Sequence, residues 1–122
     1  MSDVEAWTIF EPPMSEQADL LQGTLDLLVL KTLTLGPLHG WGISKRIRQL
    51  SRDTLDIGQG SLYPALYRLE DNGFLEATWG TSSEGKRAKI YSLTKLGRQQ
   101  FAKTQSQWNV FLTAVEHVLK AT

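Results

Sequence analysis

Residues 60–76 read GSLYPALYRLEDNGFLE. Leu62, Ala65, Leu66 and Leu69 recur at i, i+3, i+4 and i+7, the spacing that lines up one apolar stripe on a helix. Asn72-Gly73 interrupts the pattern, and Phe74–Trp79 follows at once with strand composition, ending in Gly80. Lys89–Leu93 is the next strand-like run, and Thr81-Ser82-Ser83-Glu84-Gly85 between the two has turn composition. A one-faced helix running straight into a two-stranded hairpin admits few folds, because neither piece is stable alone. The elements ahead of it must cover the stripe.

Two helical patterns precede it. Thr24 is placed to N-cap a helix in which Leu25, Leu28, Val29 and Leu33, with Leu27, Leu30 and Leu35, cover most of the circumference. Gly36-Pro37 ends that helix. A second runs from about Gly40–Gly42 to Leu50, with Ile43, Ile47 and Leu50 on one side and Lys45, Arg46 and Arg48 around the rest. The polar loop Ser51–Gly58 leads to the third helix. After the hairpin, Thr94 N-caps a last helix that reaches the C-terminus, with Gly97 in its first turn. The order helix, helix, helix, hairpin, long helix predicts a mainly α fold with a small β-hairpin. It is a winged helix-turn-helix (residues 20–93) carrying a long C-terminal dimerisation helix (residues 94–122). Residues 1–19, with Pro12-Pro13 and no sustained period, read as an acidic, flexible leader trailing in solvent.

The net charge of the 122 residues is zero, but its distribution is uneven. Residues 1–22 hold Asp3, Glu5, Glu11, Glu16 and Asp19 and no Lys or Arg, so the remainder carries 13 bases against eight acids. A basic body behind an acidic end suits a polyanionic partner, and equally a solvated surface with an acidic leader; charge alone does not choose between them. There is no cysteine, hence no disulfide framework and no thiolate metal site. The N-terminus lacks the basic start and apolar run of a signal peptide, and Leu25–Leu35 is broken by Asp26, Lys31, Thr32 and Thr34. The expectation is a cytoplasmic protein that binds no membrane. His39 and His117 lie in no metal-ligand or nucleophile spacing, and GPLHGWG (residues 36–42) lacks the Lys-Ser/Thr of a phosphate loop. No catalytic residue, metal or cofactor is predicted.

The third helix is crowded at its front. Tyr63, Pro64, Tyr67, Arg68 and Asp71 fall opposite the apolar stripe. With Ser61 as N-cap, Pro64 takes the third helical position, where its missing N–H has no intrahelical partner to lose. Gly60 permits close approach, and the free amides of a helix N-terminus suit a phosphate oxygen. Tyrosine hydroxyls can bond phosphates or base edges. The alternative for Tyr63 or Tyr67 is packing under a neighbouring loop. Glu70 and Asp71 lie at the far end of the helix. The hairpin tip, Glu84-Gly85-Lys86-Arg87-Ala88-Lys89, sets three bases in four positions beside a glycine turn, and Lys45, Arg46 and Arg48 can clamp flanking phosphates. The predicted DNA-contacting set is therefore Lys45, Gln59, Gly60, Ser61, Tyr63, Pro64, Tyr67 and Arg68, with Lys86, Arg87 and Lys89 on the wing.

Along the last helix, Phe101, Trp108, Leu112, Val115 and Leu119 are spaced 7, 4, 3 and 4, a heptad-like stripe with Gln105 as its polar member. A helix of ~40 Å, at ~1.5 Å per residue, outruns the domain before it, so its stripe calls for a second copy. Folding back on the first helix is expected only for the first turns. Trp108 is read first as an interface anchor and second as the wall of an aromatic ligand pocket; the roles are compatible.

The runs GTLDLLVLKTLTLGPLHGWGISKRI, QGSLYPALYRLEDNGFLEATWG and KRAKIYSLTKLG together resemble the PadR family of bacterial transcriptional regulators, over roughly residues 20–120. The resemblance implies a homodimeric winged-helix repressor that binds double-stranded DNA at a pseudo-palindromic operator. It also implies a small aromatic or hydrophobic effector near the dimer interface. Gly60, Ser61, Leu62, Tyr63 and Pro64 match the head of the family's recognition helix, Lys86 and Arg87 its wing bases, and Tyr91, Leu93 and Thr94 its strand-to-helix junction. Trp41 departs from it, standing where a tyrosine is usual after His39-Gly40. The rival reading, from another class, is a winged helix used as a protein-protein interaction module without specific DNA binding.

Overall fold

The structure, a computed structural model, describes residues 14–122, with side chains described from Gly23 onward. Its elements in chain order are α1 (Met14–Thr34), β1 (Leu38–His39), α2 (Gly40–Leu50), α3 (Gln59–Asp71), β2 (Leu75–Thr81), β3 (Arg87–Leu93) and α4 (Lys95–Leu119). Leu25, Val29, Leu30 and Leu33 of α1 meet Ile43 and Ile47 of α2 and the whole predicted stripe of α3, Leu62, Ala65, Leu66 and Leu69. Leu75, Tyr91 and Leu93 close this core from the sheet.

Four expectations about boundaries change. Thr24 does not N-cap the first helix, which already runs at Met14. Glu16, Gln17, Ala18, Leu20, Leu21 and Gln22 are good helix formers, and they carry the helix across Gly23 at a local cost of about 1 kcal/mol. Of the predicted leader, residues 1–13 lie outside the described residues and 14–19 belong to α1. Gly58, not Ser61, caps α3, so Pro64 sits inside the helix rather than in its first turn. Leu50, expected on the core side of α2, is 56% exposed at the helix end.

The fourth change is in the sheet. Leu38-His39, between the first two predicted helices and given no strand there, pairs antiparallel with Tyr91 and Ile90, so the hairpin becomes a three-stranded sheet of order β1-β3-β2. The wing strands run to Thr81 and Arg87, longer than predicted, with seven registered pairs from Leu75↔Leu93 to Thr81↔Arg87. The turn is tight. Ser82 N donates to the Lys86 carbonyl at 2.7 Å, and Gly85 takes φ +80°, which favours glycine.

The wing ends at Thr94, whose Oγ1 accepts from Gly97 N at 2.9 Å and donates to the Gly73 carbonyl at 2.6 Å, fixing the start of α4 as predicted. Gly97 is required there, because an added Cβ would stand 2.0 Å from the Phe74 carbonyl oxygen. Phe101 packs against the core with Lys31 over its ring, whereas nearly every residue from Gln105 onward is exposed.

Candidate nucleic-acid interface

Residues paired across antiparallel strands point to the same side of a sheet. The register therefore puts Trp79, Lys89, Thr81 and Arg87 on the face that carries Leu75, Tyr91 and Leu93, the face packed on α3. Beyond the core this face and the outer side of α3 diverge, leaving a concave groove of about 520 Å³. Tyr63 and Tyr67 form one wall, Trp79, Lys86, Arg87 and Lys89 the other, and His39, Gly40 and Trp41 close the end at α2.

The front of α3 opens beside this groove. Gly58 offers no side-chain cap, and the amides of Ser61 and Leu62 turn back to its carbonyl at 3.1 and 3.0 Å. Those of Gln59 and Gly60 precede any intrahelical acceptor and are suited to an anion. Pro64 has no N–H for the carbonyl of Gly60, which leaves an acceptor beside those donors at the same end. Gln59 Nε2 donates to Ser44 Oγ at 3.1 Å, and Ser44 donates on to the Ile57 carbonyl at 3.2 Å. The front of α3 is thereby tied to α2.

The two tyrosines differ. Tyr63 is half-buried, and its ring lies on the bare backbone of Gly40, where a Cβ would come within 2.8 Å of the hydroxyl. Tyr67, its ring 6.1 Å away, is 51% exposed. The packing alternative thus holds in part for Tyr63 and not for Tyr67. Tyr91 is buried beneath them, its hydroxyl without a hydrogen-bond partner among the described residues, and burial pushes that hydroxyl above its ordinary pKa.

Two of the predicted DNA contacts are committed elsewhere. Arg68 is turned to α1, where its guanidinium pairs with Asp26, so it does not share the groove. Its position on the helix circumference points sideways rather than outward, and a carboxylate 42 residues earlier in the chain meets it. Desolvation raises the Asp26 pKa despite the arginine beside it. Lys89 Nζ donates to Glu70 Oε1 at 3.0 Å and lies 5.5 Å from the ring centres of both Tyr67 and Tyr91. The bond to Glu70 is the main reason its pKa is raised. Glu70, at the far end of α3, does not line the groove but holds one of its wall residues through this pair.

Lys45 stands over the ring of Trp41 at 5.1 Å, and Trp41 stacks on His39 with centroids 6.0 Å apart. Arg87 lies over Trp79 at 4.7 Å, the diagonal across β2 and β3. Trp41 and Trp79 are exposed members of this face that the sequence reading did not assign, Trp79 at 63%. The available signal was a large aromatic with bases close by in sequence or across the hairpin register.

A second surface lies along α4. Trp108 and Phe111, rings 6.0 Å apart, border a shallow apolar groove of about 460 Å³ against Gly23, Thr24 and Leu27 of α1. Leu112 and Leu119 are exposed and Val115 half-buried, while Phe101 of the same predicted stripe packs on its own domain. Phe111 was absent from that stripe. Among the described residues no acidic, histidine or cysteine cluster could hold a metal, and no helix is long and apolar enough to cross a membrane.

This arrangement has close counterparts. A transcriptional regulator from Clostridium thermocellum superposes with a TM-score of 0.75 at 27% identity, over 84% of this chain and 99% of that one. A PadR-like transcriptional regulator from Bacillus cereus strain ATCC 14579 gives 0.72 at 25% identity, over 85% and 99%. A PadR family transcriptional regulator from Eggerthella lenta DSM 2243 gives 0.70 at 28% identity, over 94% and 99%. The family model described as transcriptional regulator PadR-like matches residues 29–103. That segment runs from the buried half of α1, through the groove between α3 and the wing, to the packed start of α4, and the chain belongs to the PadR-like family of transcriptional regulators.

Proposed function

We propose that the protein is a homodimeric repressor that reads a pseudo-palindromic operator with the front of α3 and grips the adjoining phosphates with the wing. The observation that carries this is the groove itself. An exposed tyrosine and two wing cations share one concave face, the register of β2 and β3 sets the cations there, and the helix that forms the opposite wall starts at a capless N-terminus. Gln59, Gly60, Ser61, Pro64 and Tyr67 form the reading end, with Tyr63 of the same helix bracing it against Gly40 of α2. Lys86 and Arg87 supply backbone contacts, and Lys45 flanks them. The proposed site of action is chromosomal DNA in the cytoplasm.

Dimerisation through α4 is supported by the exposed run Trp108, Phe111, Leu112 and Leu119, a stripe the rest of the domain leaves uncovered. A small aromatic effector seated beside Trp108 would bias the separation of the two reading heads and so tune operator affinity. The test begins with enrichment of a duplex from a random-sequence pool. Wild-type protein is expected to select a two-fold related sequence, and Tyr67→Ala to lose affinity for it. Failure to enrich any sequence would favour a protein-binding winged helix instead. The effector arm fails separately if no aromatic compound quenches Trp108 in a variant lacking the other three tryptophans.

A further inference from the structure

Three cations stand on the wing, yet they are held differently. Lys86 is exposed at the turn, and Arg87 lies against an exposed indole. Lys89 is bonded to Glu70 and flanked by the rings of Tyr67 and Tyr91, with about a third of each charged side chain exposed. Glu70 belongs to the last turn of α3 and Lys89 to the middle of β3, so the pair ties helix to wing.

We infer that Glu70 is a specificity-determining residue: it keeps Lys89 neutralised on the groove wall and so withholds one sequence-blind phosphate contact. The inference rests on the DNA-binding reading of the groove. Phosphate contacts strengthen binding to every sequence alike, whereas discrimination comes from base edges met by the front of α3. With that front seated on its own site, the backbone rides against Lys86 and Arg87. With it unseated, a wandering phosphate finds Lys89 already paired with Glu70. The carboxylate thus lowers affinity for wrong sequences more than for the right one.

The test uses two duplexes of equal length and composition, one enriched by the wild-type protein from a random pool and one shuffled. Binding is followed by fluorescence anisotropy between about 50 and 200 mM salt, the range over which phosphate neutralisation is felt. Glu70→Gln is expected to tighten binding to the shuffled duplex about threefold to tenfold at the low end and to steepen its salt slope by about 0.9, the value for one more phosphate neutralised. The enriched duplex changes less, so the ratio of the two affinities falls. Adding Lys89→Met to Glu70→Gln returns slope and affinity on the shuffled duplex to wild type, a reversal that mere loosening of the wing would not produce. Lys89→Met alone leaves the wild-type slope on that duplex unchanged. A slope flattened by Lys89→Met alone, or a shuffled-duplex affinity indifferent to Glu70→Gln, overturns the inference while the DNA reading stands. A wild-type protein that enriches no duplex sinks the DNA reading, and the inference with it.

Discussion

Tyr63 and Tyr67 are one helical turn apart on α3 and look equivalent as letters, yet they do different work. Tyr63 spends half its surface on Gly40 and the core, so Tyr63→Ala should lower stability as well as DNA affinity. Tyr67 projects into the groove, and Tyr67→Ala should cost about 1–3 kcal/mol of operator affinity with the denaturant midpoint nearly unmoved. Equal midpoint losses in the two variants would contradict this division. Arg68 and Lys89 make the same point about charge. Each reads as a phosphate ligand until its carboxylate is found, and neither Asp26 nor Glu70 could be matched to it without the fold. Asp26 also sets a pH expectation. Its pKa is raised above the ordinary 3.8, so the folded state holds that proton more tightly than the unfolded chain. Its contribution to stability therefore grows as pH falls through the window just above 3.8 and is lost again as pH rises through the folded pKa. Asp26→Asn should remove that part of the stability-against-pH curve, measured by urea unfolding. A curve of unchanged shape would show that Asp26 is unperturbed.

At the scale of elements, what could be read was what repeats. The α3 stripe has a clear helical period, and its four members are all buried. The hairpin announced itself through two strand-like runs around a glycine turn, though its ends needed the ladder to fix them. β1 could not be read, because two residues have no period and their pairing with β3 depends on a strand about fifty residues on. The starts of α1 and α3 were misplaced for a related reason. Thr24 and Ser61 are good caps, but each helix already runs through the glycine before it, at a cost of at most about 1 kcal/mol that the neighbouring residues offset. At Gly97, by contrast, the sequence looked permissive and the fold is strict. Gly97→Ala should destabilise the protein by about 2–3 kcal/mol, the scale of an overpacked site, because the Phe74 carbonyl occupies the space a methyl needs. Chemical denaturation checks this, and a loss below about 0.5 kcal/mol, the level of a neutral surface change, would show that the α4 start can shift.

For the whole molecule, the basic reading face and the uncovered stripe of α4 belong to one design. α1 packs against α4 and against α3, and the Asp26 to Arg68 pair joins α1 to α3 directly. In the proposed dimer, a movement of α4 against a second copy would pass through α1 to the proposed reading head. One winged helix touches too few bases to find a unique site, whereas a two-fold dimer reads half-sites about 34 Å apart or a multiple of it. Truncating Trp108 and Leu112 together to Ala should shift the protein to monomer at low micromolar concentration in analytical ultracentrifugation. It should abolish binding to the paired half-sites without unfolding the domain, since both side chains are exposed in the single chain. A variant that stays dimeric would move the interface elsewhere. The central claim is that DNA lies between α3 and the wing, and the salt dependence of binding tests it most directly. With Lys86 and Arg87 both replaced by Ala, the slope of log affinity against log salt on the enriched duplex should flatten by about 1.8, or 0.9 for each phosphate left without its cation. A slope equal to that of the wild type would mean that the wing touches no phosphate and that the groove is not where DNA binds.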